Sequence, residues 1–573
     1  MDLKTFFDNF EIMAEAPNGV QKLREMILQL AVQGKLVPQD PNDEPASVLL
    51  EKIQTEKRRF SKEGKTKRFK VTPTVSADQF PWRLPENWEW TRLATIGSVN
   101  PRNEVGNDLK VSFFPMRLIP AKLGESVQFE ERIWSEVKQG FTHLAEGDVV
   151  CAKITPCFQN GKSAVLRNLV NGIGAGTTEL HVFRAVSDEI MADYVLLFLK
   201  SASFLNNGVE VMTGSAGQKR VPADYFAMRP FPLPPANEQK RIVAKVDELM
   251  ALCDDLEARK QKTRQTCIQL NDACIDKMLA APEPARFNKH WQRIHTNFDL
   301  LYSQPENVTK LRQAILQLAV QGKLVPQDPN DEPASVLLEK VCARRRSLVE
   351  AGTIRKGQKL TDLRAEKQHF EAPCGWEWVL IDDIYEVVGG IQKTPKRKPV
   401  KNYFPYLRVG NVYRGYLNLG QIENFELGDG ELERWRLKDG DLLVVEGNGS
   451  ENEIGRCAIW HEEIENCVHQ NHLIRCRPIG HTVSDYTLLF LNSPAGISIM
   501  KELSITTSGL YNLSVGKIRK ISIPIPPLNE QKRIVANVDQ LMALCDDLES
   551  KLQKSQKRND RLMEAAVAEM LAA

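Results

Sequence analysis

Cys457, Cys467, His469, His472 and Cys476 are the side chains best suited to bind a metal. Thiolates and imidazoles ligate zinc, but a tetrahedral site takes them in paired spacings that these residues do not show. Alternation along CVHQNHLIRC scatters them over both faces of a strand, so no metal site is expected. Gly172, Gly174 and Gly176 form a GxGxG run, yet TTELHVF after it reads as a strand and not as the helix that a nucleotide phosphate requires. Gly161-Lys162-Ser163 ends like a phosphate loop, but Pro156 occupies its leading glycine position. The two Pro-Pro pairs are followed by Ala236 and Leu528, so the Asn/Asp-Pro-Pro-aromatic tetrapeptide of amino-methyltransferases is missing. Nine scattered histidines offer no nucleophile–base arrangement. These residues describe a binding protein, not an enzyme.

The side chains that remain are those that read bases. In the first half, Arg102 lies in PRNEVGN, Gln159, Asn160 and Lys162 in CFQNGKS, and Gln218, Lys219 and Arg220 in GSAGQKR. In the second half, Gln392, Lys393, Thr394 and Lys396 lie in GGIQKTPKRK, Arg408 and Asn411 in RVGNVYRG, Gln470 and Asn471 in VHQNH, and Tyr511 and Asn512 in TSGLYN. Arginine and lysine pair with guanine edges, asparagine and glutamine with adenine, and nearby cations hold phosphates. Loop by loop, a solvated turn explains each stretch as well; the collective enrichment is what points to nucleic acid. A formal net charge of +2 confines any such surface to a local patch. Two basic stretches recur at matching places, Lys57 to Lys70 and Arg344 to Lys359, with the residue types of solvated linkers or phosphate-binding arms.

Something must hold these loops in place, and the chain repeats it. Residues 27–52, ILQLAVQGKLVPQDPNDEPASVLLEK, recur letter for letter as 315–340. NEQKRIVA(K/N)VD(E/Q)LMALCDDLE runs from Asn237 to Glu257 and again from Asn529 to Glu549. The first repeat predicts a helical hairpin: a helix over roughly 20–33, a C-cap at Gly34, and a second helix entered through Asp43, Glu44 and Pro45. The second predicts a long helix capped by Asn237 or Asn529, with Glu238 or Glu530 favourable in its first turn. Apolar residues at four-and-three spacing follow: Ile242, Val246 and Leu249, matched by Ile534, Val538 and Leu541. These six form a heptad seam through which two such helices should pair. Between the repeats, VSFFPMRLI, GDVVCAKI and TELHVFRA in one half, and YFPYLRVGNVY, GDLLVVEG and HLIRCRPI in the other, read as strands; ADYVLLFLKS and SDYTLLFLNS read as helices.

The expected fold class is α+β: two target-reading domains separated by long helices in an antiparallel coiled coil, with an internal pseudo-two-fold repeat. The expected organisation is an N-terminal helical region and basic linker (1–80), a first recognition domain (81–233), a long helix (234–281), a linker and second helical region (282–372), a second recognition domain (373–525) and a C-terminal helix (526–573). No apolar run is long enough to span a bilayer, no secretory leader is visible, and 11 scattered cysteines fit reduced thiols, so a cytoplasmic protein is expected.

This layout, with PLPPANEQKRIV and PIPPLNEQKRIV closing two divergent domains, closely resembles the specificity subunits of type I restriction–modification enzymes. The resemblance implies that each recognition domain reads one half of a split, asymmetric site on double-stranded DNA. It implies that the repeated helices set the unread spacer and, along the seam of Ile242, Val246, Leu249, Ile534, Val538 and Leu541, dock two modification subunits, which carry S-adenosylmethionine and methylate adenine at N6; restriction subunits use ATP and Mg. It places no cofactor and no catalysis on this chain. The first domain departs from the family's pattern: TGSAGQKRVP stands where the second has TTSGLYNLS, and GSVNPRN lacks the Gly-x-x-x-Thr-Pro shape of GIQKTP. Two other readings fit the sequence less well: a fused methyltransferase–specificity protein, and a coiled-coil scaffold that binds only proteins.

Overall fold

A computed structural model describes residues 3–62, 72–215, 217–281, 284–354, 370–447, 453–480, 483–504 and 511–572. Lys65, Lys67, Arg68, Lys70, Arg355, Lys356 and Lys359 of the basic stretches lie outside them. The chain divides into two compact units, one made of 1–263 with 555–573 and the other of 264–554.

In the first unit the hairpin is α1 (Gly19–Val32) and α2 (Ala46–Lys62). The strands are β1 (Glu89–Arg92), β2 (Gly97–Val99), β3 (Lys110–Phe114), β4 (Glu130–Ile133), β5 (Thr142–Ala145), β6 (Val149–Ala152), β7 (Ser163–Val165), β8 (Ile173–Gly176), β9 (Leu180–Ala185) and β10 (Pro230–Leu233). They form one sheet in the order β2-β9-β6-β7, a second in the order β4-β3-β8-β5, and a ribbon of β1 with β10. Helix α3 (Ala192–Lys200) buries Tyr194 to Lys200 beside the first sheet, and α4 (Ala236–Leu279) is the long exit helix.

The second unit repeats the plan with α5 (Pro305–Val320), α6 (Ala334–Glu350), α7 (Ser484–Asn492) and the exit helix α8 (Leu528–Ala572). Its strands are β11 (Glu377–Leu380), β12 (Tyr385–Gly389), β13 (Tyr403–Leu407), β14 (Glu423–Glu426), β15 (Asp441–Val445), β16 (Cys457–Trp460), β17 (Val468–His469), β18 (Leu473–Pro478) and β19 (Ser522–Ile525). Their order is β12-β18-β15-β16, β14-β13-β17 and β11 with β19. Strand for strand this is the first unit's topology, less a counterpart of β5. The equivalence is legible in register: Trp90 faces Pro232 and Trp378 faces Pro524. One topology therefore accommodates two sequences with little in common between the repeats.

The repeats build the joint between recognition domain and exit helix. Glu238 is buried, taking the Trp88 indole N–H at 3.0 Å and the Gln39 amide at 2.7 Å. Glu530 takes Trp376 and Gln327 at the same two distances. Burial pushes both carboxyls above their ordinary pKa, against the pull of these donors. Arg241 reaches Asp43 at 2.7 Å and Arg533 reaches Asp331 at 2.6 Å. Gly34 and Gly322, at φ 71° and 67°, leave room for Pro85 with Trp88 and for Pro373 with Trp376. The exit helices begin one residue before the expected caps, at Ala236 and Leu528, so Asn237 and Asn529 lie inside the first turn. The acidic residue expected in the first turn is there, and it is also the centre of a three-way clamp.

Candidate nucleic-acid interface

In the first unit, loops 153–162 and 213–221 are laced together beside β6. Thr155 N–H donates to Lys219 O at 2.9 Å, Lys219 N–H to Thr155 Oγ1 at 3.1 Å, and Val221 N–H to Lys153 O at 2.8 Å. Gln159 and Asn160 are exposed on one loop, Gln218 and Lys219 on the other. Arg220 turns its Nε and Nη2 onto the two oxygens of Glu179, at 2.9 and 2.8 Å. Beneath the first loop, Lys200 is buried and its ammonium donates to Gly161 O at 2.8 Å and Ala121 O at 2.7 Å. Burial lowers its pKa to about 8. Lys162, half-buried, donates to Met116 O at 3.0 Å. Arg102 stands elsewhere: it is exposed, with Nη1 3.5 Å from His143 Nε2. Its neighbour Asn103 is held by Arg184, which pairs with Asp148, at the end of β6 opposite loop 153–162. Arg102 is therefore not part of the loop pair it was grouped with.

In the second unit the loops converge more fully. Ile391 N–H donates to His469 O, Asn471 N–H to Ile391 O and Gln470 N–H to Leu407 O, each at 2.9 Å. This sets exposed Gln392 and Lys393 beside half-buried Arg408, Gln470 and Asn471. Glu423 joins them, taking Arg408 Nη1 at 2.6 Å and Lys393 Nζ at 2.9 Å. His472 bonds Glu446 through Nδ1 at 2.8 Å, and Leu513 N–H donates to Glu446 O at 2.6 Å, which brings Tyr511 and Asn512 to the same rim. Thr394 is exposed just beyond Lys393, while the Lys396 side chain lies outside the described residues.

Two groups of expected residues are corrected. Asn411 is buried, its amide N–H groups donating to Asn418 O and Gln421 O and its oxygen accepting from Arg408 N–H, all at 2.9 Å. Every one of these groups holds the loop, so Asn411 is a brace and not a base contact. Ile242, Val246 and Leu249 are buried in the first unit's own core, and Ile534 and Val538 in the second's, with Leu541 packed against it. That seam is consumed by internal packing and cannot also dock a partner.

Among the described residues no group of three or more His, Cys, Asp or Glu is placed to hold a metal. Burial holds the Cys457 and Cys467 thiols up at about 12 and His469 down at about 3, which favours the uncharged forms of all three. Gly174 and Gly176 lie inside β8, where an added Cβ would come within 3.0 Å of Ser112 O and of the Leu180 side chain respectively; close packing explains these glycines. Some functional candidates carried no clear signal. Glu179 and Glu423 are single acidic residues among many. Tyr413 and Tyr416 stack at 5.0 Å under the Arg456 guanidinium, with Tyr416 exposed, and only the aromatic–Arg–Gly–aromatic spacing of YRGY hinted at a hairpin.

Two like-built domains, each bringing hydrogen-bonding loops together and each with its own copy of the same joint, define a duplicated recognition protein. The type I restriction modification DNA specificity domain matches residues 132–264 and 373–557, and the chain belongs to that family. It is 39% identical over 557 residues to the type I restriction enzyme EcoAI specificity subunit of Escherichia coli, spanning 96% of this chain and 94% of that one. The EcoEI specificity subunit of Escherichia coli is also 39% identical, over 556 residues, spanning 96% and 93%. The EcoKI specificity subunit of Escherichia coli strain K12 is 25% identical over 380 residues, spanning 66% and 64%. The chain is a specificity subunit of a type I restriction–modification system.

Proposed function

We propose that the domains at 81–233 and 373–525 each read one half of a split, asymmetric DNA site. The observation that carries this reading is the contrast between the two units: one topology and one clamp, but different side chains on the rims. Gln159, Asn160, Gln218, Lys219 and Arg220 contact one half-site; Gln392, Lys393, Arg408, Gln470, Asn471, Tyr511 and Asn512 contact the other. Exit helices of 44 and 45 residues act as the ruler for an unread spacer, in antiparallel pairing. The packing of Met563 in the first unit's core, and of Lys22 against Glu564 at 3.2 Å, supports this arrangement of the C-terminal helix.

Two modification subunits dock on the face of the exit helices that internal packing leaves open. Ala244, Asp247, Ala251, Leu252 and Asp255 are exposed along α4, and Ala536, Asp539, Ala543, Leu544 and Asp547 repeat them on α8. Leu252 and Leu544 are 36% and 65% exposed, unusual for leucines inside a repeated motif. An identical outer face, displayed twice, fits two copies of one partner. Those partners supply S-adenosylmethionine and adenine-N6 methylation, and restriction subunits supply ATP- and Mg-dependent cleavage; this chain supplies the address. Co-expression with the modification subunit, followed by mapping of N6-methyladenine, tests the reading: the methylated sequence is split and asymmetric, and an unmethylated genome contradicts it.

A further inference from the structure

Each recognition rim contains an arginine held by a carboxylate from a neighbouring element: Arg220 by Glu179, and Arg408, together with Lys393, by Glu423. The two carboxylates have no common origin in the repeat. Glu179 directly precedes β9, whereas Glu423 opens β14. The same device has arisen at two different positions. The pairs are open to solvent, with Arg220 43% and Arg408 34% exposed. Ion pairs this accessible add little to stability, so the fold does not account for them.

Resting on the reading that these rims bind DNA, we propose that Glu179 and Glu423 are positioning residues for base recognition. Each aims its arginine at a base edge and keeps that arginine off the phosphates. A lone arginine on a DNA-facing loop binds any phosphate, which adds affinity without sequence information. A carboxylate beside it offsets the arginine's charge and weakens its pull on phosphate, while guanine O6 and N7 can still accept the N–H groups left over. Arg220 shows the geometry: its Nε and Nη2 are held on Glu179 and its Nη1 donates to Gln218 O at 3.3 Å, so the guanidinium plane is fixed from both sides, and each Nη keeps a second N–H to donate. Fixing the rotamer before DNA arrives also removes part of the ordering cost of binding. Both carboxylates are held below their ordinary pKa, by Arg220 and by Lys393 first, so they are ionised at neutral pH.

The test uses the full chain in complex with its modification subunit, carrying Glu179→Gln, Glu423→Gln or Glu423→Asp, with methylated sites mapped and nonspecific duplex binding measured against salt. Each Gln variant is expected to relax one position of one half-site by about tenfold or more. The other half stays intact, and nonspecific affinity holds or rises. Glu423→Asp, which keeps the charge, retains the wild-type sequence. An unchanged methylated sequence in either Gln variant, relaxation in both halves from one variant, or equal relaxation by Asp and Gln at Glu423 overturns the proposal. The two pairs lie in separate units, so either variant decides by itself. A wild-type complex that methylates no split site counts against the DNA reading and not against this inference.

Discussion

Glu238 and Glu530 show what residue-level inspection of the sequence caught and what it missed. Their place in a helix's first turn was legible, and the dipole accounts for an acidic residue there. Their three-way clamp was not, because Trp88 and Gln39 lie 150 and 199 positions away. Glu238→Ala strands the buried Trp88 indole N–H, at a cost of about 1–3 kcal/mol, while the exposed Gln39 amide turns to water. Chemical denaturation of the full chain is expected to show a loss of that order, and no loss for the exposed neighbour Lys240→Ala. Glu431 provides a pH prediction. Arg397 first, then Gly428 N–H, pull its carboxyl from 4.5 down to about 2. The folded pKa lies below the unfolded one, so the stability this pair adds is complete above 4.5 and drains away as pH falls towards 2. Glu431→Gln removes that component, and the melting temperature of the variant falls less steeply across this window.

At the scale of elements, strands and helices were largely legible. Short β-branched and apolar runs such as GDVVCAKI and GDLLVVEG became β6 and β15, and the hairpin helix expected over 20–33 runs Gly19–Val32. The reason is local: pattern and turn residues act within a few positions. Which face of the exit helix packs inward was misjudged. A heptad seam looks the same whether it meets a partner or the helix's own domain, and Ile242 and Ile534 proved to be fully buried at home. The repeated sequence thus serves an internal joint first, and the docking proposed for partner subunits is assigned to the opposite face. Leu252→Glu with Leu544→Glu is expected to abolish co-purification of the modification subunit while leaving the melting temperature within about a degree, since exposed substitutions rarely disturb stability. Retained co-purification would move docking off these helices. Gly34→Ala would set a Cβ 2.5 Å from Pro85 at φ 71°, and destabilisation of more than about 1 kcal/mol is expected at this joint.

At the scale of the whole molecule, duplication was the clearest message of the chain, and the two units repeat each other in strand order as well as in joint. What the sequence did not disclose is which loops meet. Loop 153–162 joins 213–221, and 391–394 joins 470–472, through backbone hydrogen bonds that no composition reveals. Arg102 was set apart from its expected companions for the same reason. The modular account makes one demand of the intact protein: each half-site belongs to one domain. Residues 81–233 are exchanged for the corresponding domain of another specificity subunit, the chimaera is co-expressed with the modification subunit, and N6-methyladenine is mapped across the host genome. The account predicts a split sequence in which one half is new and the other half and the spacer are unchanged. A change in both halves, or methylation at a single contiguous sequence, would contradict it.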